Sequence, residues 1–343
     1  MKITEQTAMA LATRLLVQRN ALARHAECQA ELLVEAELKG HPSHGLQRLP
    51  RILARIERGL VDPRTEGEGC WRASAVWEVD GQNGLGPVVA MAAIERILER
   101  VATSGIAVAA IRNNNHLGML AHYVEHIAEQ GHIGLVMSSS EALVHPFGGT
   151  HAMLGTNPIA IAVPTADRPL VLDLATSAVS MGKIHHYAAI GRPMPEGWAR
   201  DAEGEPTTDA VRAKLGSIAP FGDAKGYGLG IAIELLIAAL AGSDLAPDIR
   251  GTLDAEALCN KGDVFFVMNA KAAPELAQRL SDYLDSVRAS PPATPGRPVA
   301  VPGDGADSRR AAARTTGFDI EPSLWDELNA LSSSSSVFEG QSL

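Results

Sequence analysis

The sequence predicts an α/β protein with a small helical layer at its N-terminus and a sheet that is not of the doubly wound Rossmann type. Helical periodicity over residues 1–60 supplies the first part, and alternating strand and helix signals from 76 to 288 supply the second. The third part comes from GQNGLG (81–86), whose spacing G-x-x-G-x-G reverses the dinucleotide fingerprint G-x-G-x-x-G.

Residues 4–19 and 21–39 carry apolar side chains at i, i+3, i+4, as in Leu11, Leu15, Leu16 and then Leu32, Leu33, Ala36. Gly40 stands where the second helix should end. The loop HPSHG (41–45) precedes a third helix over 46–58, closed by Gly59. Val76–Val79 reads as a strand, followed by the glycine turn and a helix to about Ala102. Strand Ile106–Ile111, helix 118–130 and strand Ile133–Met137 continue the alternation, and strands Ile159–Val163 and Leu170–Leu172 follow. A long apolar helix is expected from Lys225 to Ala241, then a strand at Asp263–Met268 and a helix over 272–288. SPPATPGRPVAVPGDG (290–305) reads as an extended connector because of its Pro and Gly content. A last helix over 321–331 leads into the serines of 332–336, where disorder is expected. The expected organisation is a helical domain from 1–70 plus 305–335, an α/β region of two subdomains over 71–304, and a disordered tail over 332–343.

Composition narrows the function. The 343 residues carry a net charge of −10, which disfavours a nucleic-acid partner but allows a local basic pocket for an anion. Cys28, Cys70 and Cys259 are far apart and odd in number, which argues for a reducing compartment rather than a disulfide framework. Polar residues interrupt the N-terminal stretch, so no secretory signal is expected there. The apolar run Ile231–Leu240 is too short for a bilayer and contains Glu234. A cytoplasmic location without a membrane partner is the expectation.

Two histidines lie in loops where α/β proteins place reactive groups. His44 follows Ser43, with Arg48 one helical turn further on; His116 lies in NNNHLG, between a strand and a helix. Imidazole can take a hydroxyl proton as hydride leaves the same carbon, and an arginine can hold a carboxylate through paired hydrogen bonds. Each histidine alone reads more simply as a solvated or structural loop residue. His122 and His126 share a helix face beside Glu125, but nothing completes a metal site, and a solvated face is the simpler account. His185 and His186 are uninformative alone. The long loop HPFGGTHAMLGTNPIAIAVPT (145–165) offers N–H groups and hydroxyls, and Thr176 and Ser177 are read as a phosphate platform at a helix start. Lys225 opposes the dipole of its helix, a position that a bound anion would explain.

In order along the chain stand SHG-x-x-R-L-P (43–50), NGLG (83–86), N-x-H-x-G (114–118), PFGG (146–149), LGTNP (154–158), D-x-A-T-S (173–177), GK (182–183), P-x-G-W (195–198), KGYGL (225–229) and PGD (302–304). Taken together they resemble the malate/L-lactate dehydrogenase family, which is unrelated to the Rossmann-type dehydrogenases of similar name. The resemblance implies a non-Rossmann, mixed-sheet, three-layer α/β fold of the L-sulfolactate/malate dehydrogenase-like type with a small helical domain. It further implies a homodimer that uses NAD or NADP on a small carboxylate substrate. Site residues follow from it: Ser43, His44 and His116 as catalytic groups, Arg48 and Thr156 on the substrate. Ser140, Asp173, Leu174, Ala175, Lys225, Pro302, Gly303 and Asp304 would bind the cofactor, and no metal is implied.

Members of the family act on malate, lactate, sulfolactate, ureidoglycolate or diketogulonate, and one branch reduces cyclic imino acids. That branch carries an aspartate after the glycine at Gly182, where this chain has Lys183. The expected reaction is therefore interconversion of a 2-hydroxy acid and its 2-oxo acid, with a cyclic imino-acid reductase or an inactive nucleotide-binding protein as competitors. GDAKG (222–226) departs from the family's usual approach to the lysine, leaving NAD and NADP both open.

Overall fold

The computed structural model describes residues 1–270 and 274–333. Its centre is a seven-stranded sheet in the spatial order Glu68–Ala73, Val76–Asp80, Ile106–Arg112, Gly262–Asn269, His132–Ser138, Ile159–Val163, Leu170–Leu174. Val76–Asp80 runs parallel to Ile106–Arg112, and the remaining neighbours are antiparallel. A Rossmann sheet is mostly parallel, so the expected mixed, non-Rossmann architecture is what forms.

The central strand comes last in the chain. Its side chains alternate: Phe265 and Val267 face the helices Gly86–Ser104 and Ala121–Glu129, while Val264 meets Ile233 and Ile237 of Ala224–Ala241 on the other face. Helices on both faces make three layers. Tyr123 seals one face edge-on to Phe265, with ring centroids 5.7 Å apart.

A second core joins both ends of the chain. Leu11, Leu15, Leu16, Leu33, Leu49 and Leu53 pack with Phe318, Ile320 and Leu328. Lys2–Ile3 pairs antiparallel with Phe318–Asp319, and the Met1 amino group donates to the Ile320 carbonyl at 2.8 Å. Buried Lys39 pairs with Glu35 at 3.3 Å and with Glu125, and Arg310 reaches Glu35 at 2.9 Å. These charges fasten the helical layer to the sheet; removing one partner would strand the others away from water. A third cluster, around Val144, Leu154, Ile184, Met194 and Ile218, holds a small lobe with its own three-stranded sheet.

Several expectations need correction. The strand Glu68–Ala73 was not foreseen, and a domain boundary at 70 would cut through it. It is an edge strand exposed along most of its length, so it lacks the alternation that betrays buried strands. Helix Asp304–Thr316 buries only Ala313 and so shows no apolar stripe. Ser332 and Ser333 belong to helix Pro322–Ser333 rather than to a disordered tail; residues 334–343 lie outside the described residues. The helix expected over 272–288 is described from Pro274 to Arg288. Ala224–Ala241 has 18 residues and a mean hydropathy of 1.5, enough by length and apolarity to cross a bilayer, although the sequence reading judged its apolar run too short. Within this fold it packs against the sheet, and its mid-helix Glu234 is buried and fully engaged.

Candidate active site

A cleft of about 780 Å³ opens between the helical layer, the sheet and the small lobe. Ser43, His44, Arg48, His116, Ser140 and Thr156 all line it, though they come from three separate connections.

The first loop is two consecutive 3-10 turns, Pro42–His44 and Leu46–Arg48, so the expected helix over 46–58 becomes regular only at Leu49. Gly45 lies between them, where a Cβ would stand 2.3 Å from Glu37 Oε1 and push that carboxyl aside. Glu37 accepts the Leu46 N–H at 2.8 Å, and burial pushes its carboxyl up to about 7. Arg48 Nε donates to the Ser43 carbonyl at 2.8 Å, so the arginine braces the loop that carries His44. Its terminal nitrogens have no protein partner among the described residues.

The asparagines before His116 each have a task. Asn113 takes a left-handed backbone (φ 54°) and donates to Asp80. Asn114 is fully buried and donates to Asp263 at 3.1 Å, and Asn115 donates to the Asn83 and Gly84 carbonyls at 2.8 Å. The glycine turn 81–86 is thus the bed on which the histidine loop lies. At Gly86 a Cβ would stand 2.2 Å from the His116 carbonyl oxygen.

His44 and His116 face each other with ring centroids 5.7 Å apart. Ser43 Oγ and His44 Nδ1 are 3.1 Å apart and either can donate. His116 differs: the Gly118 N–H donates to its Nδ1 at 2.9 Å, which requires a neutral ring to carry its proton on Nε2. Burial and the Arg48 guanidinium hold both rings below the ordinary histidine range, His44 down to about 3. Burial also lowers Arg48 itself to about 10, with Arg51 adding to it.

Ser140 and Thr156 meet where the Thr156 N–H donates to Ser140 Oγ at 3.1 Å. Asn157, buried at φ 36°, anchors this loop by donating to Glu234 Oε2 at 2.7 Å. Glu234 was noticed in sequence only as a charge in an apolar run; its isolation there was the available signal.

The other residues expected at the cofactor do not line this cleft. Asp173, Leu174 and Ala175 lie at the end of the strand Leu170–Leu174. Gly303 packs beside Val171 of the same strand, where a Cβ would sit 3.3 Å from the Val171 carbonyl. Asp304 is committed to Arg288, at 2.8 and 3.0 Å, and to the Val301 N–H. Asp173 is exposed at the strand end and accepts the Ala121 N–H at 2.8 Å, and desolvation by the surrounding protein raises its carboxyl to about 6. Lys225 is exposed in the first turn of its helix, close to the Thr176 backbone through Gly226. Thr176 and Ser177 are not a phosphate platform. The next helix starts at Met181, and their hydroxyls are spent on the carbonyls of Thr156 (2.9 Å) and Val179 (2.8 Å).

Glu125 is engaged with Lys39 and His126 with Glu95, and among the described residues no three His, Cys, Asp or Glu converge on a metal position. Sequence reasoning missed Arg51, Lys214 and Lys261, which also line the cleft. Arg51 could have been found from its i+3 spacing to Arg48.

A family model described as malate/L-lactate dehydrogenase matches residues 3–329. The chain belongs to this family. L-sulfolactate dehydrogenase of Methanocaldococcus jannaschii is 36% identical over 89% of each chain. A dehydrogenase structure from Sinorhizobium meliloti is 54% identical, covers 97% of this chain and 98% of its own, and superposes with a TM-score of 0.94. A delta1-piperideine-2-carboxylate reductase from Pseudomonas syringae, 29% identical over 96% and 99%, has a TM-score of 0.87. A solved structure named as an imine-type reductase thus shares the frame of this chain. In this member Gly182 packs on Ser43, where a Cβ would stand 2.8 Å from the serine Cβ, and Lys183 is exposed with its ammonium 5.0 Å over the Trp198 ring. No carboxylate hydrogen-bonds to Ser43 or His44 among the described residues.

Proposed function

We propose that this protein interconverts a small 2-hydroxy acid and its 2-oxo acid with NAD or NADP. The observation that carries the reading is the convergence on one cleft of two half-buried histidines and a guanidinium that, among the described residues, has no carboxylate partner. The cofactor fits what is present. The cleft carries serine and threonine hydroxyls, and beyond it Asp173 offers a solvent-open carboxylate able to accept from a ribose hydroxyl or an amide. Ser140, Asp173, Leu174, Ala175, Lys225 and the Pro302–Asp304 turn are the residues that would hold it. When bound, the nicotinamide supplies the hydride acceptor. Relatives named as NAD(+)- and NADP(+)-dependent both occur among the matches, and the preference of this chain is left to assay.

Arg48 holds the substrate carboxylate through its free terminal nitrogens. His44 can place its own proton on Nδ1 toward Ser43 and present a bare Nε2 to the substrate hydroxyl. His116, tied at Nδ1, presents Nε2–H and donates to the same oxygen. The two rings thus act as base and donor respectively. The missing carboxylate beside Ser43–His44 favours the hydroxy-acid reaction over imine reduction.

A panel of 2-hydroxy acids, 2-oxo acids and one cyclic imine against both cofactors tests the reading; turnover of the imine alone would replace it. Arg48→Ala should raise KM and lower kcat/KM about 100-fold, equivalent to about 2.7 kcal/mol. Unchanged kinetics would remove Arg48 from the substrate. Failure of both nicotinamide nucleotides to bind in a fluorescence titration would instead favour an inactive binding protein.

The proposed partner is a second copy of the chain. Gly228, Leu229, Ala232, Leu235, Leu236 and Ala239 form an exposed stripe along the helix Ala224–Ala241, with leucines for burial and small residues for close approach. Leu235→Glu should convert a dimer to a monomer in sedimentation at micromolar concentration. A monomeric wild type, or wild type that pellets with lipid vesicles, would overturn this. The free thiols Cys28, Cys70 and Cys259 suit the proposed cytoplasmic location.

A further inference from the structure

The cleft holds more uncompensated positive charge than one carboxylate requires. Arg48 and Arg51 are three residues apart at the start of the helix Leu49–Glu57, and both line the cleft beside His116. Lys214, at the end of the single turn Ala210–Ala213 in the small lobe, lines it too. Among the described residues neither Arg51 nor Lys214 makes a side-chain hydrogen bond or ion pair. The nearby cations differ in this respect. Arg55 is spent on Asn115 and the carbonyls of Asp254 and Ala257, Arg58 on the Ala255 carbonyl, and Lys261 on Asp263.

Like charges on one helix face repel, and burial of one of them increases the cost. Burial is the largest cause of the downward displacement of Arg48, His116 and His185, and Arg51 adds to each, behind Lys214 for His185. On the acidic side, Glu141 near Arg48 uses Oε1 on the N–H groups of Thr252 and Leu253. Glu321 is the carboxylate among the residues that line the cleft. On a protein of net charge −10, such a concentration of unpaired cations has to be held in place by the fold.

We propose that Arg51, assisted by Lys214, is a second anion subsite beside Arg48, so that the substrates are 2-hydroxy acids bearing a second acidic group, a carboxylate or a sulfonate, on the carbon chain beyond C2. This rests on the dehydrogenase reading above. Arg48 takes the carboxylate next to the reacting carbon, and Arg51 takes the distal group and relieves the repulsion between the two guanidinium groups.

The experiment compares malate and sulfolactate with lactate for wild type, Arg51→Met, Arg51→Lys and Lys214→Met. Wild type should favour a two-anion substrate over lactate. Arg51→Met should lower kcat/KM for malate and sulfolactate about 50-fold while leaving lactate and the KM of the cofactor within about threefold, and Arg51→Lys should recover part of the loss. A larger loss with one of malate or sulfolactate identifies the distal group. Equal losses with malate and lactate, or a raised cofactor KM without a change in substrate preference, would overturn the subsite. Calorimetric titration with malonate and acetate separates the two layers of inference. If no hydroxy acid is turned over but malonate binding is lost in Arg51→Met, the subsite stands and the dehydrogenase reading falls. If lactate is oxidised and Arg51→Met binds malonate as wild type does, the subsite falls and the reading stands.

Discussion

Replacing His44 with alanine is expected to lower kcat for hydroxy-acid oxidation about 10³-fold and to abolish the acid limb of the pH–rate profile. His116→Ala should cost about 10²-fold and keep that limb. The difference follows from one hydrogen bond. Because Gly118 donates to His116 Nδ1, the neutral ring has no lone pair left on Nε2 to accept a proton, whereas the Ser43 hydroxyl leaves His44 free to choose its tautomer. Burial and Arg48 lower His44 to about 3, and oxidation needs the unprotonated ring. The acid limb of kcat/KM in wild type should therefore lie at least about one unit below the ordinary 6.5. Bound carboxylate offsets the Arg48 charge, so the limb in kcat should lie higher than that in kcat/KM. Loss of the limb in His116→Ala and its retention in His44→Ala would reverse the two roles.

Gly86→Ala should destabilise the protein by about 3 kcal/mol in urea unfolding and reduce activity more than the remaining folded fraction explains. The added Cβ would fall 2.2 Å from the His116 carbonyl oxygen and 2.8 Å from that of Asn115, and neither backbone can yield without moving the histidine. Gly105→Ala is the control. It has φ +74° with nothing within 4 Å, so it should cost only about 1 kcal/mol and leave kcat intact. A Gly86→Ala enzyme with wild-type kcat and stability would show that the glycine turn does not position His116.

The site was legible in sequence where short loops place chemistry beside its own supports. SHG-x-x-R and NNNHLG contain their own braces, and Ser43, His44, Arg48, His116, Ser140 and Thr156 do share one cleft. The reversed glycine spacing correctly told against a Rossmann turn, and the mixed sheet agrees. Elements that bury little were not visible. Helix Asp304–Thr316 is held by polar contacts with distant parts of the chain, and the edge strand Glu68–Ala73 by a hairpin to Val76–Asp80 that leaves most of its side chains exposed; periodicity reports neither. Thr176 and Ser177 misled because a hydroxyl pair ahead of a helix looks the same in sequence whether it faces a ligand or the carbonyls beside it. Arg51 was marked only by its i+3 spacing to Arg48, which says that the two share a helix face but not that this face lines a cleft.

The pairing of Lys2–Ile3 with Phe318–Asp319 bears on when this protein can begin to work. The layer that presents His44 and Arg48 draws its core from the first and last parts of the chain, with the sheet threaded between them. A ribosome-bound chain can join its sheet once the central strand Gly262–Asn269 has emerged, yet its arginine and histidine loop stays without a floor until the residues around Phe318–Leu328 follow. Fragments from stalled synthesis or clipping before Asp304 would then carry Ser43, His44, Arg48, His116, Ser140 and Thr156 and still lack a working cleft.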